Sequence, residues 1–243
     1  MKIIYCDATC ETGERAEEIF LETLPDYALN LGVSNYSHEN DLIKQGFKII
    51  NKTDAIKNCV NKKRMFEKLV GKVETLEYYD LKKPSHLFKA LIRLIQNKEI
   101  VVRKKWSETE PRRINSLFKF VRQYKKYDYA TLYEDKRLEW RALVFRNKLF
   151  KLMLKNAVEE NTELSSWQLK QINCDFDEIK NPGNKKLIAE CEKAAEILGI
   201  DLCGIDVCLT NDLKLKIIEV NSGMAMGYGT LERLKKLIEK EAE

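Results

Sequence analysis

Apolar positions recur along the chain in two rhythms, one suited to strands and one to helices. Lys2 to Cys6 and Phe47 to Ile50 are short β-rich runs, separated by an acidic helix-like stretch from Glu11 to Leu24 and a looser polar stretch around Asn35 to Asn40. Thr53-Asp54 can cap a helix that carries Ile56, Val60, Met65, Phe66 and Leu69 on one side and stops near Gly71. Thr75 to Tyr78 predicts a short strand. Pro84 to Gln96 predicts a helix with Leu87, Leu91, Leu94 and Ile95 at helical spacing, and Ile100 to Arg103 a further strand. After Pro111, helical spacing returns at Ile114, Leu117, Phe118, Val121 and Tyr124.

The second half opens with two β-rich runs, Leu138 to Phe145 and Leu149 to Lys155, joined through Arg146-Asn147-Lys148 as a hairpin. Asn184 to Leu198 is helical and Gly199 stops it. Gly204 to Leu209 and Leu215 to Val220 form a second hairpin through Thr210-Asn211-Asp212, and a charged amphipathic helix runs from Thr230 to Ala242. The pattern contains no internal repeat and no low-complexity linker. It describes an α/β (α+β) chain with a small α/β opening and two packed lobes.

Composition narrows the chemistry. The apolar share is 44% and no apolar run reaches the ~20 residues of a membrane span, so no membrane partner is expected. The opening apolar strand meets Asp7 at once and is too brief for a signal peptide, which places the chain in the cytoplasm. Seven cysteines without a C-x-x-C pair suggest reduced, mostly buried thiols. Only His38 and His86 are present, which disfavours histidine-based nucleophilic or metal chemistry. The net charge of +5 is unevenly spread: −5 over Met1–Ile50, +16 over Asn51–Lys155 and −6 over the remainder. A basic middle suits a polyanion, either nucleotide phosphates or nucleic acid, or is simply a solvated face. No recognised nucleic-acid motif accompanies it.

The last hairpin carries the most informative chemistry. Along its second strand Glu219 and Asn221 share a face while Ile218 and Val220 turn to the other, and pairing with the first strand can bring Asp206 beside them. Two carboxylates and one amide oxygen suit Mg²⁺, which takes its other ligands from water and substrate phosphates. The same pattern also describes a surface hairpin whose polar face meets water.

Four ordered blocks over roughly Lys48 to Tyr228 resemble the ATP-grasp superfamily, in particular ribosomal-protein glutamate ligases and similar phage proteins. They are Asn51 to Phe66, Ile100 to Arg103, Glu139-Trp140-Arg141 with Lys155, and Gly204 to Asn221, the last resembling the family's G-x-D and E-x-N magnesium signature. The resemblance implies an ATP-grasp fold in which two α+β lobes clamp a nucleotide: a pre-domain at 1–55, a first lobe at 56–130 and a second at 131–243. It implies nucleotide binding by Lys62, Arg103 and Lys155, with Tyr133 and Glu134 at the adenine hinge. Arg141 would hold the transferring phosphate or acyl phosphate, and Asp206, Glu219 and Asn221 the metal. The cofactors are then ATP and Mg²⁺, with Mn²⁺ as an alternative.

The implied activity is ligation of a carboxylate substrate, such as a peptide or protein C-terminus or an amino acid, to an amine or thiol acceptor. A non-catalytic relative that binds a nucleotide or peptide, and a basic nucleic-acid-binding module, are the alternatives. Three segments depart from the family. Lys104 to Pro111 has no glycine where a glycine-containing phosphate lid is usual, Leu132 stands where an acid is common, and Ser222 to Gly227 lacks the usual proline. Trp167 falls where related proteins carry an aromatic residue and is expected to pack structurally. Arg112 and Arg113 could reach a substrate carboxylate or nucleotide phosphates, but at the start of an exposed helix they are expected to be solvated.

Overall fold

A computed structural model describes residues 1–5, 11–20, 25–105, 111–157, 174–180 and 182–242. Trp167, and 106–110 of the glycine-free segment, lie outside the described residues. Three sheets organise the rest. The first is parallel and contains β1 (Lys2–Tyr5), β2 (Tyr27–Leu31) and β3 (Lys48–Ile50) in that order, with α1 (Glu11–Phe20) and α2 (Tyr36–Lys44) as crossovers. Two of these elements correct the sequence reading. The stretch around Asn35 to Asn40 opens α2, whose cap Asn35 accepts the Ser37 amide. β2 went unread although it is buried throughout: a central parallel strand has no polar alternation to betray it.

The expected helix after Thr53 is two helices, α3 (Thr53–Val60) and α4 (Lys62–Leu69). Asn61 separates them with extended backbone, and its side chain accepts from Arg64 N at 3.2 Å to cap the second. The cap of α3 is Lys52, with no side-chain bond, in place of the expected Thr53-Asp54. β4 is Tyr78–Asp80, later than expected, while Thr75 makes a single bridge to Ile217.

β4, α5 (Pro84–Ile95), β5 (Ile100–Arg103), β6 (Arg112–Ile114), α6 (Leu117–Gln123) and β7 (Tyr129–Leu132) follow, and the four strands pair in the order β4-β7-β5-β6. The expected apolar face of the third helix is overturned. Ile114 belongs to β6, Leu117, Phe118 and Val121 are exposed, and Phe120 is the fully buried residue of α6. Arg112 and Arg113 likewise lie on β6, not on a helix.

The third sheet is antiparallel, in the order β10-β9-β8-β11-β12. It comprises β8 (Lys136–Phe145), β9 (Lys148–Ala157), β10 (Cys174–Glu178), β11 (Leu202–Thr210) and β12 (Leu215–Asn221). β8 and β9 join through Arg146-Asn147, both at positive φ, as a two-residue hairpin demands. α7 (Lys185–Leu198) precedes β11, with Gly199 left-handed just beyond it, and α8 (Tyr228–Ala242) closes the described chain.

The two faces of this sheet differ, and the difference creates the site. Trp140, Ala142, Val144, Ile205, Val207 and Val220 turn to the core formed with α3, α4 and α7. The opposite face is apolar only at one end, where Leu143, Phe145, Met153 and Leu202 pack against the N-terminal unit and α8. Two and four residues before Leu143 on β8, at Arg141 and Glu139, that face turns charged.

Candidate functional site

Asp206 sits directly across from Glu219 on one side and Arg141 on the other, and Gly204 across from Asn221. Paired residues share a face, so Arg141, Asp206, Glu219 and Asn221 form one polar strip. A bulge beside it leaves Ile218 without a partner between the pairs Asp206–Glu219 and Val207–Ile217. The expected placement of both carboxylates and the amide on one face is the observed one. Ile218 and Val220 are buried in the core cluster, also as expected.

Each acid of the strip has a cationic partner. Arg141 holds Asp206 through two bonds, Nε to Oδ1 at 2.8 Å and a terminal nitrogen to Oδ2 at 3.0 Å, with its guanidinium 4.8 Å from the Phe176 ring centre. Lys62, buried at the start of α4, reaches Glu219 Oε1 at 2.7 Å, Asn221 Oδ1 at 2.7 Å and the Val220 carbonyl at 2.9 Å. Burial would raise the Glu219 carboxyl, but Lys62, then Arg103 and Arg141, hold it below its ordinary value. Next along β8, buried Glu139 accepts from Lys155 at 2.9 Å and Lys136 at 2.8 Å, and these two lysines outweigh its burial and lower its pKa as well.

Arg103 arrives from the other sheet, at the end of β5 opposite Tyr129. Its Nε is buried with no hydrogen-bond partner among the described residues. The Tyr129 hydroxyl is pushed up to about 12, first by burial and then by Glu219, against the lowering influence of Arg103. That mutual influence puts Arg103, Tyr129 and Glu219 in one neighbourhood. The Lys62 amide donates to the Lys105 carbonyl at 3.1 Å, tying the start of α4 to the segment just past β5.

Lys62, Arg103, Arg141, Asp206, Glu219 and Asn221 therefore converge, with Lys155 adjoining through Glu139. Tyr133 and Glu134 have other partners. Arg113 stacks 3.8 Å above the Tyr133 ring while pairing with Glu99, and Glu134 borders a cleft of about 340 Å³ with Lys98, Lys214 and Lys216. Glu139 and Lys136 were not singled out as site residues from sequence. Glu139 stands two residues from Arg141 on the same strand face, a usable signal, whereas Lys136 carries none beyond its charge.

The donor set suits a hard divalent cation: two carboxylates and an amide oxygen on one strip, with a buried leftover donor on Arg103 opposite for an anion. Among the described residues no three His, Cys, Asp or Glu side chains cluster as a metal site, and Cys59, Cys191, Cys203 and Cys208 are buried and free. Burial pushes the Cys59 thiol up to about 12 and Cys208 to about 11, so neither is a ready nucleophile. No helix among the described residues is long and apolar enough to cross a membrane.

No protein-family model and no curated protein matches the chain. Solved structures do. The chain is similar to the ATP-grasp ligase PsnB complexed with a minimal precursor, at 10% identity over 89% of this chain and 79% of that one, with a TM-score of 0.66. It is similar to D-alanine–D-alanine ligase from Bacillus anthracis complexed with ATP, at 14% identity over 99% and 97%, TM-score 0.65. D-alanyl-alanine synthetase A from Vibrio cholerae follows at 18% identity over 88% and 72%, TM-score 0.59. At these identities the likeness is one of architecture, and the chain has the ATP-grasp fold.

Proposed function

We propose that this chain is an ATP-dependent ligase that joins a carboxylate to an amine or a thiol through an acyl phosphate. The supporting observation is the strip of oxygen donors at Asp206, Glu219 and Asn221, set among cations drawn from four other elements, α4, β5, β8 and β9. Counting Lys62, Arg103, Lys136, Arg141 and Lys155 against Glu139, Asp206 and Glu219, the site carries five positive and three negative groups. That surplus complements a metal–triphosphate complex, itself a dianion. Solved structures of similar fold are described as bound to ADP with Mg and to ATP.

Asp206, Glu219 and Asn221 would hold Mg²⁺, with Mn²⁺ a substitute, and the metal would supply charge neutralisation for phosphoryl transfer. Arg103 and Lys155 bind and orient the phosphates. Arg141, beside the carboxylates, steadies the transferring phosphoryl group once its fork is shared with substrate. No base is needed to activate a carboxylate that is already ionised, which accords with a site free of histidine. The resemblance to ribosomal-protein glutamate ligases, and the precursor peptide bound to PsnB, favour a peptide or an amino acid as the acid. Tyr133 and Glu134 remain the proposed hinge contacts to adenine, and 56–130 and 131–243 the two lobes.

Asp206→Asn and Glu219→Gln each remove one anionic ligand while keeping side-chain size. Both should abolish acid- and acceptor-dependent release of phosphate from ATP while the folded circular dichroism spectrum persists. Full turnover in either variant removes the metal assignment. A non-catalytic nucleotide- or peptide-binding protein is the second reading, favoured by the glycine-free segment after Arg103. It predicts thermal stabilisation by ATP without phosphate release for any acid–acceptor pair.

A further inference from the structure

α4 is capped by Asn61 and anchored through Met65, Phe66 and Leu69, all independently of the Lys62 side chain. Its buried ammonium instead collects three oxygens, one each from Glu219, Asn221 and the Val220 carbonyl, at 2.7 to 2.9 Å. Two of these are the oxygens proposed above as metal ligands. The third proposed ligand, Asp206, has both oxygens engaged by Arg141. The strip is thus neutralised by the chain itself: two carboxylates, one ammonium and one guanidinium.

Resting on the metal assignment above, we propose that Lys62 is an internal counter-ion that fills the divalent-metal position until a metal–nucleotide complex displaces it. A free divalent ion approaching this strip gains no net attraction and must expel a contacting unit charge, a repulsion that is large at such range. A metal arriving on a triphosphate brings phosphate oxygens that can take over the ammonium as a partner, so the displacement costs little. Lys62 then changes partners from carboxylate to phosphate, and metal and nucleotide load as a unit.

Protein-bound Mn²⁺ measured by electron paramagnetic resonance, with and without a non-hydrolysable ATP analogue and corrected for the Mn²⁺ that the analogue holds in the absence of protein, tests this. The wild-type protein should retain Mn²⁺ weakly alone and at least about tenfold more tightly with the analogue. Lys62→Met should raise nucleotide-free Mn²⁺ affinity by about tenfold or more, the low end for removing one unit charge at contact. Adding Glu219→Gln to that variant should cancel the gain. Equal wild-type affinity with and without the analogue, or an unchanged affinity in a folded Lys62→Met protein, overturns the proposal. Lys62→Gln serves where the methionine variant does not fold, and the wild-type comparison stands without either. If Asp206→Asn and Glu219→Gln hold Mn²⁺ and the analogue as the wild type does, the metal assignment itself has failed. If they lose it and Lys62→Met changes nothing, only the counter-ion role has.

Discussion

Glu139 illustrates how a single residue organises this site. Buried between Lys136 and Lys155, it accepts a bond from each and so holds one end of the cationic cluster in place. Replacing it with glutamine leaves two lysines facing a neutral amide, and breaking such a buried pair costs about 3 kcal/mol. The sign of its pH dependence follows from its lowered pKa. Its stabilising contribution is complete above the ordinary 4.5 and disappears as pH falls through the lower folded-state value. The gap between wild type and Glu139→Gln in urea denaturation should therefore be full at about pH 7 and shrink below about pH 4. A gap that is constant with pH would mean that Glu139 is not ionised in the folded protein. Site residues of this kind were partly legible. Asp206, Glu219 and Asn221 could be read because β periodicity fixes which side chains share a face, whereas the partner of Lys62 lies 157 residues away in Glu219 and no local rule connects them.

At the scale of elements, legibility followed how far an element's environment is set by its own sequence. Both hairpins could be read because tight turns and alternating strands are local. α6 was misread because Leu117, Phe118 and Val121 have helical spacing without burial, while Phe120 alone turns inward against the four-stranded sheet. The break at Asn61 was hidden because α3 and α4 keep their apolar residues in one core and so mimic a single continuous stripe. The segment after β12 was uncertain in sequence for want of the usual proline, and its contacts now explain its composition. A Cβ on Gly223 would stand 3.1 Å from the Leu31 carbonyl oxygen, a backbone atom that cannot swing aside. Gly223→Ala should therefore push the segment that follows β12 off β2 and destabilise the protein by about 1–3 kcal/mol. Gly227, with open space around its missing Cβ, is the control and should tolerate alanine in the same denaturation assay. Equal stability of the two variants would show that the contact with β2 is not under compression.

Across the whole molecule, the N-terminal three-stranded sheet and the five-stranded sheet are fastened at Asn51, which the sequence presented only as the start of a family-like block. Asn51 is fully buried and left-handed, with φ of 65°, a conformation asparagine tolerates better than most residues. Its side chain donates to the carbonyls of Asn30 at 3.2 Å and Leu202 at 2.8 Å and accepts the Leu202 amide at 2.7 Å, while its own amide reaches Asp201 at 3.0 Å. One residue thereby ties β2 to the first residue of the strand that carries Asp206. Alanine here would suffer backbone strain of about 1 kcal/mol and strand several buried polar groups at about 1–3 kcal/mol in all, for a total near 2–4 kcal/mol. Glycine removes the strain and keeps the loss of bonds, so Asn51→Gly should be about 1 kcal/mol more stable than Asn51→Ala and still well below wild type. Urea denaturation of the three proteins measures both gaps. An alanine variant within about 0.5 kcal/mol of wild type would mean that the apolar packing of β2, α1 and α8 against the sheet holds these parts together unaided.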